Sequence, residues 1–167
     1  MKGVVLVWLI GMTTFHPAHA LDVTRQREGE WVVVTADFSH QPAAIQALVQ
    51  QDPKAMNLGK GVRSVQAEPL PNGCTKLEVT NTGLMRTYSY TAERCPIEDG
   101  WHSKMISSPD FEDHQIVWKT VHHGSGSRVV VRVKVEPKFP VPRFLMTRVI
   151  GGALEETLER IDARLIN

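Results

Sequence analysis

The sequence predicts an α+β domain: a curved antiparallel sheet of seven strands around one long C-terminal helix, with two short helices after the first strand. Three observations carry this. Between Arg128 and Glu136, Val129, Val131, Val133 and Val135 alternate with Val130, Arg132, Lys134 and Glu136, the period-two pattern of a half-buried strand. Pro137, Pro140 and Pro142 then bar both a ladder and a helix interior, so the chain must turn. From Arg143 the period becomes helical. Leu145, Val149, Ala153, Leu154, Leu158, Ile161 and Leu165 share one side, and Glu155, Glu156, Glu159, Arg160 and Arg164 the other. A helix with such a stripe needs a sheet or helix to cover it.

The elements follow in order. Leu21 to Phe38 reads as one long strand, densest at Trp31-Val32-Val33-Val34-Thr35-Ala36, where β-branched residues favour a pleated backbone. Ser39 or Gln41 with Pro42 opens a short helix over Ala43 to Gln51, with Ile45, Leu48 and Val49 inward; Lys54 to Leu58 is a second. Val62 to Leu70, Cys74 to Thr80, Leu84 to Arg94, Trp101 to Ser107, Phe111 to His122 and Arg128 to Glu136 are six further strands. They are separated by turn signals: Pro71-Asn72-Gly73, Asn81-Thr82-Gly83, a loop at Pro96 to Gly100, and the tip His123-Gly124-Ser125-Gly126-Ser127. Strands clustered between helices define the α+β class.

At 167 residues the chain holds one domain with a real core, and its net charge of +1 predicts no general attraction to nucleic acid. The N-terminus has the three parts of a secretory signal: Lys2, the apolar run Val4 to Met12, and the small-x-small site Ala18-His19-Ala20. Cleavage is expected after Ala20, leaving residues 21–167 as the mature domain. The run is far short of the ~20 residues that span a bilayer, and no cysteine follows the site to carry a lipoprotein anchor. Export, to the periplasm of a bacterium, is the expectation. The two cysteines of an exported chain, Cys74 and Cys95, invite a disulfide at the open end of one hairpin. Directly opposite pairing centres that hairpin's turn between Leu84 and Met85, whereas Asn81-Thr82-Gly83 marks an earlier one, which would need a bulge or a fold-back at Cys95.

Chemistry-bearing patterns are sparse. His40, His102, His114, His122 and His123 lie beyond the signal without metal-ligand spacing, so no metal is expected. Gly124-Ser125-Gly126-Ser127 lacks the lysine and following helix of a phosphate loop, no Gly-x-Ser-x-Gly is present, and no cofactor is expected. The informative group is Arg86, Tyr88 and Tyr90. An odd pairing sum puts these residues on one face with Leu77 and Val79, the concave face. Either the tyrosines offer a ligand apolar area with a hydroxyl, and Arg86 holds a carboxylate or phosphate head, or the tyrosines fill the core and Arg86 reaches the rim. Met105, Trp118, Ile150 and Leu154 are further candidate wall residues on the same alternatives. Gly151-Gly152 inside the long helix marks a kink, a close approach near the pocket mouth, or tight packing on the sheet.

The order of elements over Trp31 to Leu165 resembles the helix-grip fold of the START-like, or SRPBCC, superfamily, and within it the polyketide-cyclase/dehydrase-like and coenzyme-Q-binding START-like proteins. The most specific stretch runs from Phe111 to Trp118 through Gly126-Ser127-Arg128 and the valine strand to Pro137, Pro140, Pro142 and the long helix. The resemblance implies a pocket between sheet and helix for a lipid or other hydrophobic small molecule, with transient membrane contact. The function expected is therefore an exported soluble binding or carrier protein with no catalytic residue assigned. A cyclase- or isomerase-type enzyme, using the tyrosines, Arg86, His102 or His114, and an interaction module with a filled core are the alternatives. The ligand's identity and the oligomeric state are not encoded in any pattern found.

Overall fold

The computed structural model describes residues 21–51, 61–83 and 86–166. One sheet of eight antiparallel strands carries two helices. The strands are β1 (Asp22–Glu28), β2 (Trp31–Phe38), β3 (Val62–Pro69), β4 (Thr75–Gly83), β5 (Arg86–Ile97), β6 (Gly100–Ser107), β7 (Phe111–His123) and β8 (Gly126–Pro137). The helices are α1 (Pro42–Gln51) and α2 (Arg143–Ile166). The order across the sheet is β1-β2-β8-β7-β6-β5-β4-β3, so all neighbours are consecutive hairpins except β2 and β8.

The fold class stands, with the strand count corrected from seven to eight. The stretch read as one strand, Leu21 to Phe38, is a hairpin: β1 folds on β2 with Glu28 opposite Trp31. Gly29 makes the turn with φ of 60°, a left-handed backbone that glycine adopts without cost. The expected loop at Pro96 to Gly100 is also tighter than expected, because β5 runs on through Pro96 and Ile97 to pair with Trp101 and Gly100. The signal segment and the second short helix, Lys54 to Leu58, lie outside the described residues. No helix among the described residues is long and apolar enough to cross a membrane.

The valine strand behaves as its alternation predicts. Val129, Val131 and Val133 are buried, and β8 has buried β-branched neighbours on either side in β2 and β7. Two apolar clusters fill the concave side. The larger joins Val34, Ala36 and Phe38 of β2, Ile116 and Trp118 of β7, the β8 valines, Ile45 and Val49 of α1, and Leu154, Leu158 and Ile161 of α2. The smaller joins Leu77 and Val79 of β4, Tyr88, Tyr90 and Ala92 of β5, and Phe111. Helix α2 packs chiefly on β1 and β2, at one side of the sheet. Its buried face is Gly151, Leu154, Thr157, Leu158 and Ile161, which differs from the expected stripe in that Val149 is exposed and Thr157 is inside. Thr157 is admitted because its hydroxyl donates to the Ala153 carbonyl one turn earlier, 2.9 Å away.

Gly151 makes the close approach foreseen for the glycine pair, but toward the β1 edge. A Cβ there would sit 2.4 Å from Arg25 Cδ. Without it, Arg25 crosses the helix to clamp Glu155 with two charged hydrogen bonds of 2.9 and 2.6 Å.

Candidate functional site

The sheet outspans the helix, and where the two clusters part a cavity of ≈ 360 Å³ remains. Its floor is Val133 and Val135 of β8 with Phe111 and His114 of β7. One side is Asn81, Thr82 and Gly83 of β4 with Tyr88 and Tyr90 of β5; the other is Met146, Val149, Ile150, Ala153 and Glu156 of α2, with Phe139 from the proline-rich link. The volume equals that of roughly a dozen liquid waters and falls in the range of sites that enclose small molecules.

Local sequence explains how each wall is built. The β4–β5 register pairs Val79 with Tyr90 and Asn81 with Tyr88, an odd sum that sends both tyrosines to the concave face as the alternation predicts. On β7 a register shift between Phe111 and Asp113 lets Phe111 point inward beside the even-numbered face of His114, Ile116 and Trp118. The rings then pack on one another. Tyr88 stacks on Phe139 at 5.9 Å, Tyr90 on His114 at 4.3 Å, and Phe111 meets Tyr90 edge-on at 6.2 Å.

Of the candidate wall residues, Tyr88, Tyr90 and Ile150 line the cavity and four others do not. Leu154 faces the sheet and is fully buried in the larger cluster. Trp118 is sealed in the same cluster, stacked on Trp101 and donating its indole N–H to Thr120 Oγ1 at 2.9 Å. Met105 packs from β6 against the smaller cluster. Arg86 stands at the exposed rim, its guanidinium 3.3 Å from Asp110 and 4.2 Å above the Phe139 ring. It is braced against the wall from outside, because the hairpin end at Gly83 and Arg86 leaves it in solvent. His102, the other histidine considered, bonds Gln115 and takes no part in the cavity.

The wall residues that alternation alone did not single out include Phe139, Asn81, Glu156 and His114. His114 was detectable, since it continues the face of Ile116, Trp118 and Thr120 by one step. Its ring is buried, its Nδ1 has no hydrogen-bond partner, and burial, opposed by the Asp113 carboxylate, pushes its pKa down to about 4. It is a neutral imidazole at physiological pH. Asn81 Oδ1 is likewise buried without a partner. Burial also raises the phenols of Tyr88 and Tyr90, so both stay protonated. The Tyr88 hydroxyl donates to the Gly83 carbonyl and closes the hairpin end over the cavity.

Cys74 and Cys95 are joined. The β4–β5 register carried one step outward sets them directly opposite, with no bulge between Thr75↔Arg94 and Gly83↔Arg86. The described ladder runs on to Gly83↔Arg86, so Asn81-Thr82-Gly83 is strand and not the turn; residues 84 and 85 lie outside the described residues.

A helix laid across a curved sheet with a ring-lined cavity beneath it has known relatives. The sequence pattern of the polyketide cyclase/dehydrase and lipid transport family matches residues 23–162. The chain belongs to that family. No curated protein matches it. Among solved structures, one from Thermus thermophilus superposes with a TM-score of 0.69 at 17% identity, covering 81% of this chain and 97% of that one. A START superfamily protein from Mycobacterium smegmatis gives 0.67 at 17% identity, covering 82% and 97%. The Zhui aromatase/cyclase of a Streptomyces species gives 0.59 at 7% identity, covering 87% and 92%. At these identities the likeness is one of fold.

Proposed function

We propose that this chain is an exported carrier that encloses a hydrophobic small molecule in the cavity between β4, β5, β7, β8 and α2. The observation that carries the reading is the cavity itself: an apolar, ring-lined space left between two packed clusters. Burying a ligand's apolar surface there supplies about 25 cal/mol per Å², and no catalytic constellation is needed. The signal-like N-terminus and the Cys74–Cys95 bond support an oxidising compartment. Family membership supports a lipid or polyketide-like cargo.

Native mass spectrometry of protein purified from its own compartment tests both parts. A mature chain beginning at Leu21 with a co-purified apolar adduct is the expected result; a chain retaining Met1 removes the export claim. Ala153→Trp, which projects an indole into the cavity wall, should lower uptake of a solvatochromic dye at least tenfold while the circular dichroism of the fold persists. Undiminished uptake would place binding elsewhere.

A second reading, a cyclase-type enzyme, is favoured by one observation: a neutral imidazole, His114, sits inside the cavity where it can exchange a proton with an enclosed substrate. Turnover of a reactive polyketide mimic that His114→Phe abolishes would install it in place of the carrier.

A further inference from the structure

We propose that the flank formed by the first turns of α2 and the end of β1 docks this protein on an anionic phospholipid surface, with the Phe144 ring inserted and Arg27, Arg143 and Arg148 on the headgroup phosphates. None of the four lines the cavity, so the inference stands whether or not the cavity holds a cargo.

Phe144 is the most exposed large apolar side chain among the described residues, at 75%. Three exposed arginines surround it. Arg143 precedes it, and Arg148 lies one turn on, where residues four apart are neighbours on the helix surface. Arg27 reaches over from β1 and donates to the Thr147 hydroxyl and to the Gly29 carbonyl, each at 2.8 Å. Thr147 in turn donates to the Arg143 carbonyl at 3.0 Å, so strand and helix are tied together at this flank. Both acceptors of Arg27 are neutral, and none of the three arginines has a carboxylate partner among the described residues.

Acids are kept away. From Lys138 to Leu154 the chain has three cations and no Asp or Glu. The next acid on the helix, Glu155, is roughly 16 Å from Phe144 along the axis, about twice the Debye length at physiological salt, and is clamped by Arg25. On the strands Glu28 is paired with Arg132 and Glu30 with Lys134, and Arg143 acts on Glu30 only at a distance. Glu136 borders a cleft with Arg27 and Arg143 but bonds neither.

The combination selects the occupant. A soluble polyanion would answer the arginines and leave the ring in water. A second copy seated about a two-fold axis would set arginine against arginine. A bilayer carrying anionic lipids answers both, taking the ring at the acyl boundary and the guanidinium forks on its phosphates. The whole chain has a net charge of only +1, so the attraction belongs to this flank and not to the molecule at large.

The test is co-sedimentation of the full mature protein with vesicles at neutral pH and about 0.1 M salt. The vesicles are phosphatidylcholine alone, or phosphatidylcholine with about one-third phosphatidylglycerol. Binding to the anionic vesicles should be roughly tenfold tighter or more, and should weaken steeply as salt rises to about 0.5 M. Arg143→Gln with Arg148→Gln should lower it roughly twentyfold, at about fivefold per arginine. Phe144→Ser should lower it roughly fivefold or more. All three positions are exposed, and circular dichroism verifies that the fold is kept. Phe144→Trp adds a readout that charge alone does not move: its added emission should shift to the blue on anionic vesicles and be quenched by brominated acyl chains. Equal binding to both vesicle types, undiminished binding in the arginine or serine variant, or no binding at all overturns the proposal. So does a Phe144→Trp emission unmoved by vesicles, which would leave the flank to a soluble polyanion or an acidic protein.

Discussion

Replacing His114 by Phe should remove a specific portion of the protein's acid sensitivity. In the folded chain burial holds the imidazole at a pKa of about 4, against 6.5 for an ordinary histidine. The unfolded chain therefore binds the proton more readily than the folded one between those values. Stability is full above about pH 6.5, falls as the pH drops, and levels off below about pH 4. Each pKa unit corresponds to 1.36 kcal/mol, so the loss between about pH 8 and about pH 4.5 is on the order of 2–3 kcal/mol. Asp37 and Asp113, whose carboxyls are held below their usual range, and in Asp113's case against the opposing effect of burial, add their own losses at lower pH. Those losses are common to both proteins and largely cancel on subtraction. Phe keeps a ring on Tyr90 without a titrating nitrogen. Urea unfolding of both proteins at several pH values gives the difference curve. Parallel curves, with the difference constant to within about 0.5 kcal/mol, would refute the buried neutral imidazole.

Reduction of the disulfide, or Cys74→Ala with Cys95→Ala, releases a loop spanning a separation of 21 residues and should cost about 3 kcal/mol of stability, read as a lower urea midpoint. Gly151→Ala should leave stability within about 1 kcal/mol, since better helix propensity offsets displacement of the Arg25 side chain. It should also abolish the coupling between Arg25 and Glu155 in a double-mutant cycle, whereas a persisting coupling would mean the clamp does not depend on the missing Cβ.

Much of the fold was legible because its signals are periodic. The β8 valines, the proline break and the α2 stripe each state a geometry that the three-dimensional structure repeats. The hairpin at Gly29 escaped because Gln26 to Glu30 is polar on both faces and so gives no phase to lose, leaving the glycine as the one local signal. The cavity was legible as a mismatch between a wide sheet and one helix, but its wall was only half legible. Tyr88 and Tyr90 follow from alternation, while Trp118 on the sheet and Leu154 on the helix meet in the packed core between the two, where no space is left. Phe139 arrives from an irregular link and Asn81 from a segment that imitates a turn. Glu156 belongs to the charged side of the helix, opposite its apolar stripe. Their placement depends on tertiary approach, which no period records.

The pairing of β2 with β8 sets the order in which the molecule can assemble. Every other ladder joins strands adjacent in sequence and can close as a local hairpin. The β2 partners of β8, Trp31 opposite Lys134 to Phe38 opposite Ser127, lie roughly a hundred residues apart, and closing that loop is the slow, entropically costly step of such a topology. Until it happens the β1–β2 hairpin has no strand beside it on either edge, and Val34, Ala36 and Phe38 have no α2 to cover them. A ribosome-bound or half-threaded chain that has not released β8 carries a finished meander beside an orphaned ribbon, which makes that ribbon the segment a chaperone has most reason to hold.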